Sequence, residues 1–367
     1  AQDYLLFLFF WGLQVVPVFL LIAGWGGEGR RRAAGRYLGM ALTALALLTV
    51  AVVLVVAVAG RAGHPTFDLG EVNGQKLESL APGVAAAAFW LSLVGFSLWL
   101  AIVPLHRWMI EACSEATSGV AMLIVGVVVQ LGGYGLIRVM LGAFPQTSRQ
   151  FSLLLVALAA GGALWAAISA MVQDEVRRMV LYGSASQMAV ILLAIGAQTS
   201  LALNGVVLMM LAHGFAYGML LLLTGAVEER GRTRLFSRLG GLAWQAPRLG
   251  WMWAFAAFAA LGAPLLAGFT AELMVFTGAF PAHRIATVLV MGGAAVSTGF
   301  LLLGLQRIFF GPPRETFARV KDITTLEITC VTPMVAALLF FGLLPRAIIP
   351  VITSGVTQIG NRLAGGG

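Results

Sequence analysis

The stretch FSLWLAIVPLHRWMIEACSEATSGVAMLIVGVVVQLGGYGLIRVML, residues 96–141, runs apolar, stops at Pro104, turns through a polar patch and runs apolar again. Proline lacks an N–H and crowds the preceding turn, so no helix passes Pro104 undisturbed. Inside lipid, a broken helix persists only where protein or trapped water satisfies the freed backbone groups. The stretch therefore reads as a broken membrane helix, a polar elbow carrying His106, Arg107, Glu111 and Glu115, and then a whole helix. Interrupted helices of this kind build the pathways of membrane transporters.

The rest of the chain agrees. Of 367 residues, 60% are hydrophobic and only 10% charged, and the mean hydropathy is +0.94. A soluble chain of this length needs far more charged surface, so the fold class is an all-α polytopic membrane protein. Forty-five glycines suit closely packed membrane helices. The net charge of +8 reads as arginine-rich cytoplasmic loops rather than a nucleic-acid surface. Cys113 and Cys330 form neither a spaced framework nor a metal motif. With no Walker or CxxC sequence, the chain offers no nucleotide or electron-carrier site and no metal site.

Apolar runs of spanning length occur near 4–25, 37–59, 84–104, 118–143, 150–172, 179–199, 202–225, 250–280, 286–309 and 325–345, which makes about ten transmembrane helices. The third breaks at Pro104 and the eighth around Gly262, Ala263 and Pro264. If the spans alternate, one side receives Arg30, Arg31, Arg32, Arg36, Arg107, Arg177, Arg178, the basic group from Arg230 to Arg248, and Arg307, Arg314, Arg319 and Lys321. The other receives only Arg61, Lys76, Arg138, Arg149, Arg284, Arg346 and Arg362. The positive-inside rule places the first group in the cytoplasm and both termini outside, on the periplasmic side of a bacterial inner membrane. The two breaks are an odd number of spans apart, so the broken helices run in opposite directions. That is the geometry of an inverted repeat with one interrupted helix per half. The expected partition is residues 1–145 as an incomplete first half, 146–311 as a second half, and 312–367 as a cytoplasmic loop, a last helix and a tail. The tail from Ile352 is too short in apolar residues to span again and is left as a surface amphipathic segment or a frayed end. The basic loop 227–249 reads as a topological signal in contact with anionic lipid, or as a docking surface for a soluble partner.

A charge at mid-bilayer costs about 2.5–3.5 kcal/mol on insertion scales. His213, within LMMLAHGFAYGM, lies mid-span, and Glu272, within GFTAELMVF, lies just past the second break. Gln14, Gln130, Ser186, Gln187 and Thr270 surround them as uncharged polar groups. A membrane carboxylate relays protons or binds ions, or else ties a broken helix to its neighbour. A histidine suits proton exchange or packs as a hydrogen-bonding residue.

The segments PTFDL (65–69), PLHRW (104–108), QLGGYGLIR (130–138), QDEVRRMVLYGSASQM (173–188), LAHGFAYGMLLLLTG (211–225), GFTAE (268–272) and LQRIFFG (305–311) follow one another in this order. Together they resemble the antiporter-like membrane subunits of respiratory complex I, most closely the M-type subunit of NADH:quinone oxidoreductase. The resemblance implies two inverted five-helix repeats, with this chain beginning at the family's fifth helix and lacking the first four. It also implies a proton relay. The family's relay glutamate falls on Gly12, and its two lysines fall on Trp99 and Gln130. One histidine falls on Gln187, and only His213 and Glu272 retain relay groups. A further family lysine falls on Arg177, as a charge at the cytoplasmic edge. Glutamine exchanges hydrogen bonds but does not titrate near neutrality, so the first-half path reads as degenerate.

The implied function is a membrane-arm subunit of a complex-I-like oxidoreductase that contributes to proton translocation. It has no redox centre of its own; NADH, flavin, iron–sulfur clusters and quinone are expected on partner subunits. The expected partners are other membrane-arm subunits and lipids, and no nucleic acid. The alternatives are a non-pumping structural subunit of the same complex, or a subunit of a cation/proton antiporter, a membrane hydrogenase or an inorganic-carbon uptake complex.

Overall fold

The computed structural model describes residues 2–61, 66–74, 77–312, 317 and 319–364. Pro65 of the PTFDL segment, Lys76 and Arg314 lie outside the described residues. The first span is two helices in line, α1 (Tyr4–Leu13) and α2 (Val15–Trp25), followed by the long α3 (Arg30–Arg61). Two short helices, α4 (Leu69–Gly74) and α5 (Leu77–Leu80), lead into α6 (Pro82–Leu100). The elbow is itself a helix, α7 (Arg107–Glu115). It buries Trp108, Met109, Ile110, Ala112 and Cys113 on one face, so the polar patch of the sequence is an amphipathic helix.

The next span, residues Ser118–Leu141, is α8 (Ser118–Leu123) and α9 (Val129–Gly135) with π-helical turns at Ile124–Val128 and Leu136–Leu141. After α10 (Pro145–Gln150) come α11 (Ser152–Met171), α12 (Val176–Ala197) and α13 (Ser200–Gly231). The second broken span is α14 (Pro247–Ala260) and α15 (Ala267–Ala279). α16 (Arg284–Phe309), α17 (Thr325–Leu343) and α18 (Ile349–Ala364) complete the chain. Nine helices among the described residues are long and apolar enough to span, and the broken α14–α15 pair supplies the tenth predicted crossing. The tail from Ile352 is an ordered amphipathic helix: Ile352, Val356, Ile359 and Leu363 are buried along one stripe, the spacing of a helix lying on a surface.

Polar contacts gather at two ends. At the elbow end, Gly27 N–H donates to the Glu115 carbonyl at 2.8 Å and Glu111 pairs with Arg36 and Arg107. There too Arg230 pairs with Glu327 at 2.8 Å, while Asp322 accepts from the first N–H groups of α14, Arg248 at 3.0 Å and Leu249 at 3.1 Å. At the opposite end, Tyr4 donates to Asn73 at 3.0 Å. Glu78 accepts from the N–H of Thr147 at 2.6 Å, and Gln198 donates to the Ser148 carbonyl at 2.8 Å. α6 runs toward the elbow end and α14–α15 away from it, so the two broken helices are antiparallel.

Small residues set the closest crossings. A Cβ on Gly214 of α13 would sit 2.5 Å from the Gly126 carbonyl oxygen, so these two spans meet backbone to backbone. α12 lies at the centre: every residue from Gly183 to Ala197 is buried.

Candidate functional site

The second break places the one membrane carboxylate that the sequence singles out. α14 ends at Ala260, the chain turns through Gly262 (φ 66) and Leu265 (φ 74), and α15 restarts at Ala267. Gly262 is required here: its φ is left-handed, and a Cβ would lie 2.6 Å from a Glu272 oxygen. Pro264 sits within the turn, where its missing N–H leaves no helical bond unmade.

Glu272 is half-buried and accepts from Gln187 Nε2 at 3.2 Å. The same Nε2 reaches the Ala260 carbonyl, freed by the break, at 3.4 Å. One turn away on α12, Ser184 Oγ lies 3.1 Å from His213 Nε2. The His213 ring stacks on Tyr217 with centroids 4.5 Å apart. Gln187 Oε1, His213 Nδ1 and the Tyr217 hydroxyl are buried without a protein partner. The structure thus brings Glu272, Gln187 and His213 to one region between α12, α13 and α15. Sequence reasoning missed Ser184 and Tyr217, although their spacing was legible. Ser184 and Gln187 are three apart and His213 and Tyr217 four apart, which puts each pair on one helix face.

The first half is built differently. Trp99 is fully buried and packs edge-on against Trp11 (5.8 Å), Tyr37 (6.3 Å) and Trp108 (6.4 Å). Gly12 turns toward Leu45 of α3, 3.3 Å from where a Cβ would be. Where the resemblance expects an ion pair, Trp99 stands among aromatic rings and Gly12 faces an aliphatic side chain. Gln130 is not joined to Gln187 or Glu272: its Nε2 bonds the Val125 carbonyl in its own π-turn at 3.3 Å. The α6 break also differs in position from the expectation. The helix stops at Leu100, ahead of Pro104, because Ala101 adopts a left-handed φ of 53° and caps back onto Ser97 and Leu98. Trp108 Nε1 donates to the Leu98 carbonyl at 2.8 Å and so satisfies the end of α6.

A second missed element ties α12 and α13 to the α7–α8 turn. Arg177 is 4% exposed and pairs with Glu228 at 2.7 Å. It also donates to the Ala116 carbonyl at 2.6 Å and to Ser118 Oγ at 2.8 Å. The expected edge charge is therefore a buried clamp on the α7–α8 turn.

Comparison with known proteins fits this architecture. The family described as NADH:quinone oxidoreductase/Mrp antiporter transmembrane proteins matches residues 1–298. The chain belongs to this family. It is 32% identical over 378 residues to NAD(P)H-quinone oxidoreductase chain 4 2 of Synechococcus elongatus, covering 99% of this chain and 69% of that relative. It is 29% identical to F(420)H(2) dehydrogenase subunit M of Methanosarcina mazei, covering 100% of this chain and 74% of that one. A chain of respiratory complex I from Thermus thermophilus superposes with a TM-score of 0.87 at 27% identity, covering 98% of this chain and 76% of that one. A chain of the Mrp complex from Dietzia shares the fold, with a TM-score of 0.87 at 19% identity over 98% of this chain and 75% of that one. The chain is an integral membrane protein of the antiporter-like type.

Proposed function

We propose that this chain is a membrane-arm subunit of a complex-I-like oxidoreductase and carries protons through its second half. The observation that carries the reading is a pair of hydrogen-bonded contacts one turn apart on α12. Gln187 holds Glu272 at 3.2 Å and Ser184 holds His213 at 3.1 Å. Glu272 and His213 exchange protons; Gln187, Ser184 and Tyr217 pass or orient hydrogen bonds between them. Buried polar atoms need partners, so the unpartnered Gln187, His213 and Tyr217 atoms mark where water joins the two contacts. The first half, residues 1–145, serves as scaffold around the Trp99 cluster, residues 146–311 conduct, and residues 312–367 brace them. The elbow end, with its arginine excess, faces the cytoplasm of a bacterial cell. Redox cofactors (NADH, flavin, iron–sulfur clusters and quinone) reside on partner subunits of the assembly.

The test is Glu272→Gln in the assembled complex reconstituted into vesicles, with proton uptake and electron transfer measured together. The expected result is at least a roughly tenfold loss of coupled proton movement, with assembly intact. An unchanged proton-to-electron ratio refutes conduction and leaves the whole chain a scaffold.

A further inference from the structure

At the elbow end, on the face away from Glu272, residues of α7, α11 and α12 line a cavity of about 610 Å³. Its walls include His106, Arg107, Ser114, Trp165, Arg178 and Tyr182. Arg178 sits at the first turn of α12 and Arg107 at the first turn of α7, next to His106, with side chains 50% and 79% exposed. Trp165 lies about 9 Å inside the end of α11, at a rise of about 1.5 Å per residue, and is 47% exposed. Val103 and Ile110 supply apolar wall.

The polar groups are incompletely used. Arg107 spends its Nε on Glu111 at 2.9 Å, and Arg178 its Nε on Glu175 at 3.4 Å. Neither has another bond among the described residues, so both keep their terminal N–H groups. Two walls carry unpartnered buried atoms: His106 Nδ1 and Ser114 Oγ, in residues 6% and 5% exposed. The His106 ring is fixed edge-on against Trp165 at 4.9 Å. The carboxylate on the wall is Glu111. Burial raises its pKa, but Arg107 and Arg36 outweigh that and hold it below the ordinary range. It is therefore already neutralised by two cations and does not balance Arg178.

We propose that this cavity binds the headgroup of an anionic phospholipid. Arg107 and Arg178 hold the phosphate, His106 and Ser114 hydrogen-bond its oxygens or the glycerol, and Trp165 and Tyr182 flank the glycerol level. Guanidinium groups match phosphate oxygens in pairs, and basic pockets between membrane helices take such headgroups. The aromatic pair lies at the depth where indole and phenol rings favour the interface. A free phosphate shares the first contacts but gains nothing from Trp165 and Tyr182, which argues for the lipid.

The test uses the full chain in nanodiscs of phosphatidylcholine with graded phosphatidylglycerol, followed by native mass spectrometry of retained lipid. The expected result is selective retention of phosphatidylglycerol, weakened about fivefold for each arginine removed in Arg107→Gln and Arg178→Gln. Trp165→Ala weakens it about threefold with both arginines in place, and carries the test if the arginine variants do not fold. Arg149→Gln, at the opposite end, leaves retention unchanged. Equal retention of phosphatidylcholine, or unchanged retention in the arginine variants and in Trp165→Ala, overturns the proposal. Displacement by millimolar inorganic phosphate alone also overturns it, by assigning the cavity to the free anion.

Discussion

The two broken helices solve one backbone problem with different side chains. At the first break, Trp108 Nε1 donates to the Leu98 carbonyl, which also accepts from Ala101, and Trp99 packs among aromatic rings. At the second, Gln187 Nε2 reaches the freed Ala260 carbonyl and also holds Glu272. Both breaks turn through a left-handed residue, Ala101 in one and Gly262 in the other. The interruption is thus a feature of the fold, kept whether or not a titratable group sits beside it. At the second break alone of the two, the capping side chain also holds a carboxylate.

The largest expected effect tests whether the halves depend on each other. Arg177→Ala leaves Glu228 buried without its main cation, a change of about 3–5 kcal/mol, and a thermal melt should show the loss. Arg177→Lys, which keeps charge but not the fork of donors, should recover only part of it. Next, Gly214→Ala drives a methyl into the Gly126 carbonyl and should destabilise by about 1–3 kcal/mol, measured in the same way.

A pair of substitutions then sets the breaks directly against each other. Gly262→Ala forces a side chain into a left-handed φ, at about 1–2 kcal/mol, and pushes on the Glu272 carboxylate. Proton uptake should fall even though Glu272 remains. Ala101→Gly relieves the same kind of strain at the first break, so it should be neutral or stabilising by about 1 kcal/mol and leave uptake unchanged. If both breaks respond alike, the division into conducting and scaffolding halves fails. Trp99→Phe completes the comparison. Its Nε1 has no partner to lose, so stability should drop by only about 1–2 kcal/mol, with the proton-to-electron ratio intact. A changed ratio would assign the first half a role in conduction.

Much of this was legible in the sequence because bilayer thickness imposes a length on apolar runs, and proline and glycine announce interruptions. The breaks near Pro104 and Gly262 followed from those rules, as did the separation of arginines between the two ends. Other features were not legible. The α7 helix hid inside a patch that reads as polar, since its apolar residues alternate with Arg107, Glu111 and Glu115 at helical spacing. The π-turns of the Ser118–Leu141 span have no local signature. The Arg177–Glu228 and Gln187–Glu272 contacts join residues far apart in the chain, and only packing of α12 against its neighbours decides them. Residue identity flagged Gln130 and Gln187 equally; geometry separated them, because Gln130 folds back on its own helix.

The Gly126–Gly214 crossing carries a mechanical consequence. Where two helices touch through bare backbone, no rotamer can yield, so that point acts as a fulcrum. His213 is the residue next to it. Were α13 to rock about it, His213 would travel least and keep its place beside Ser184.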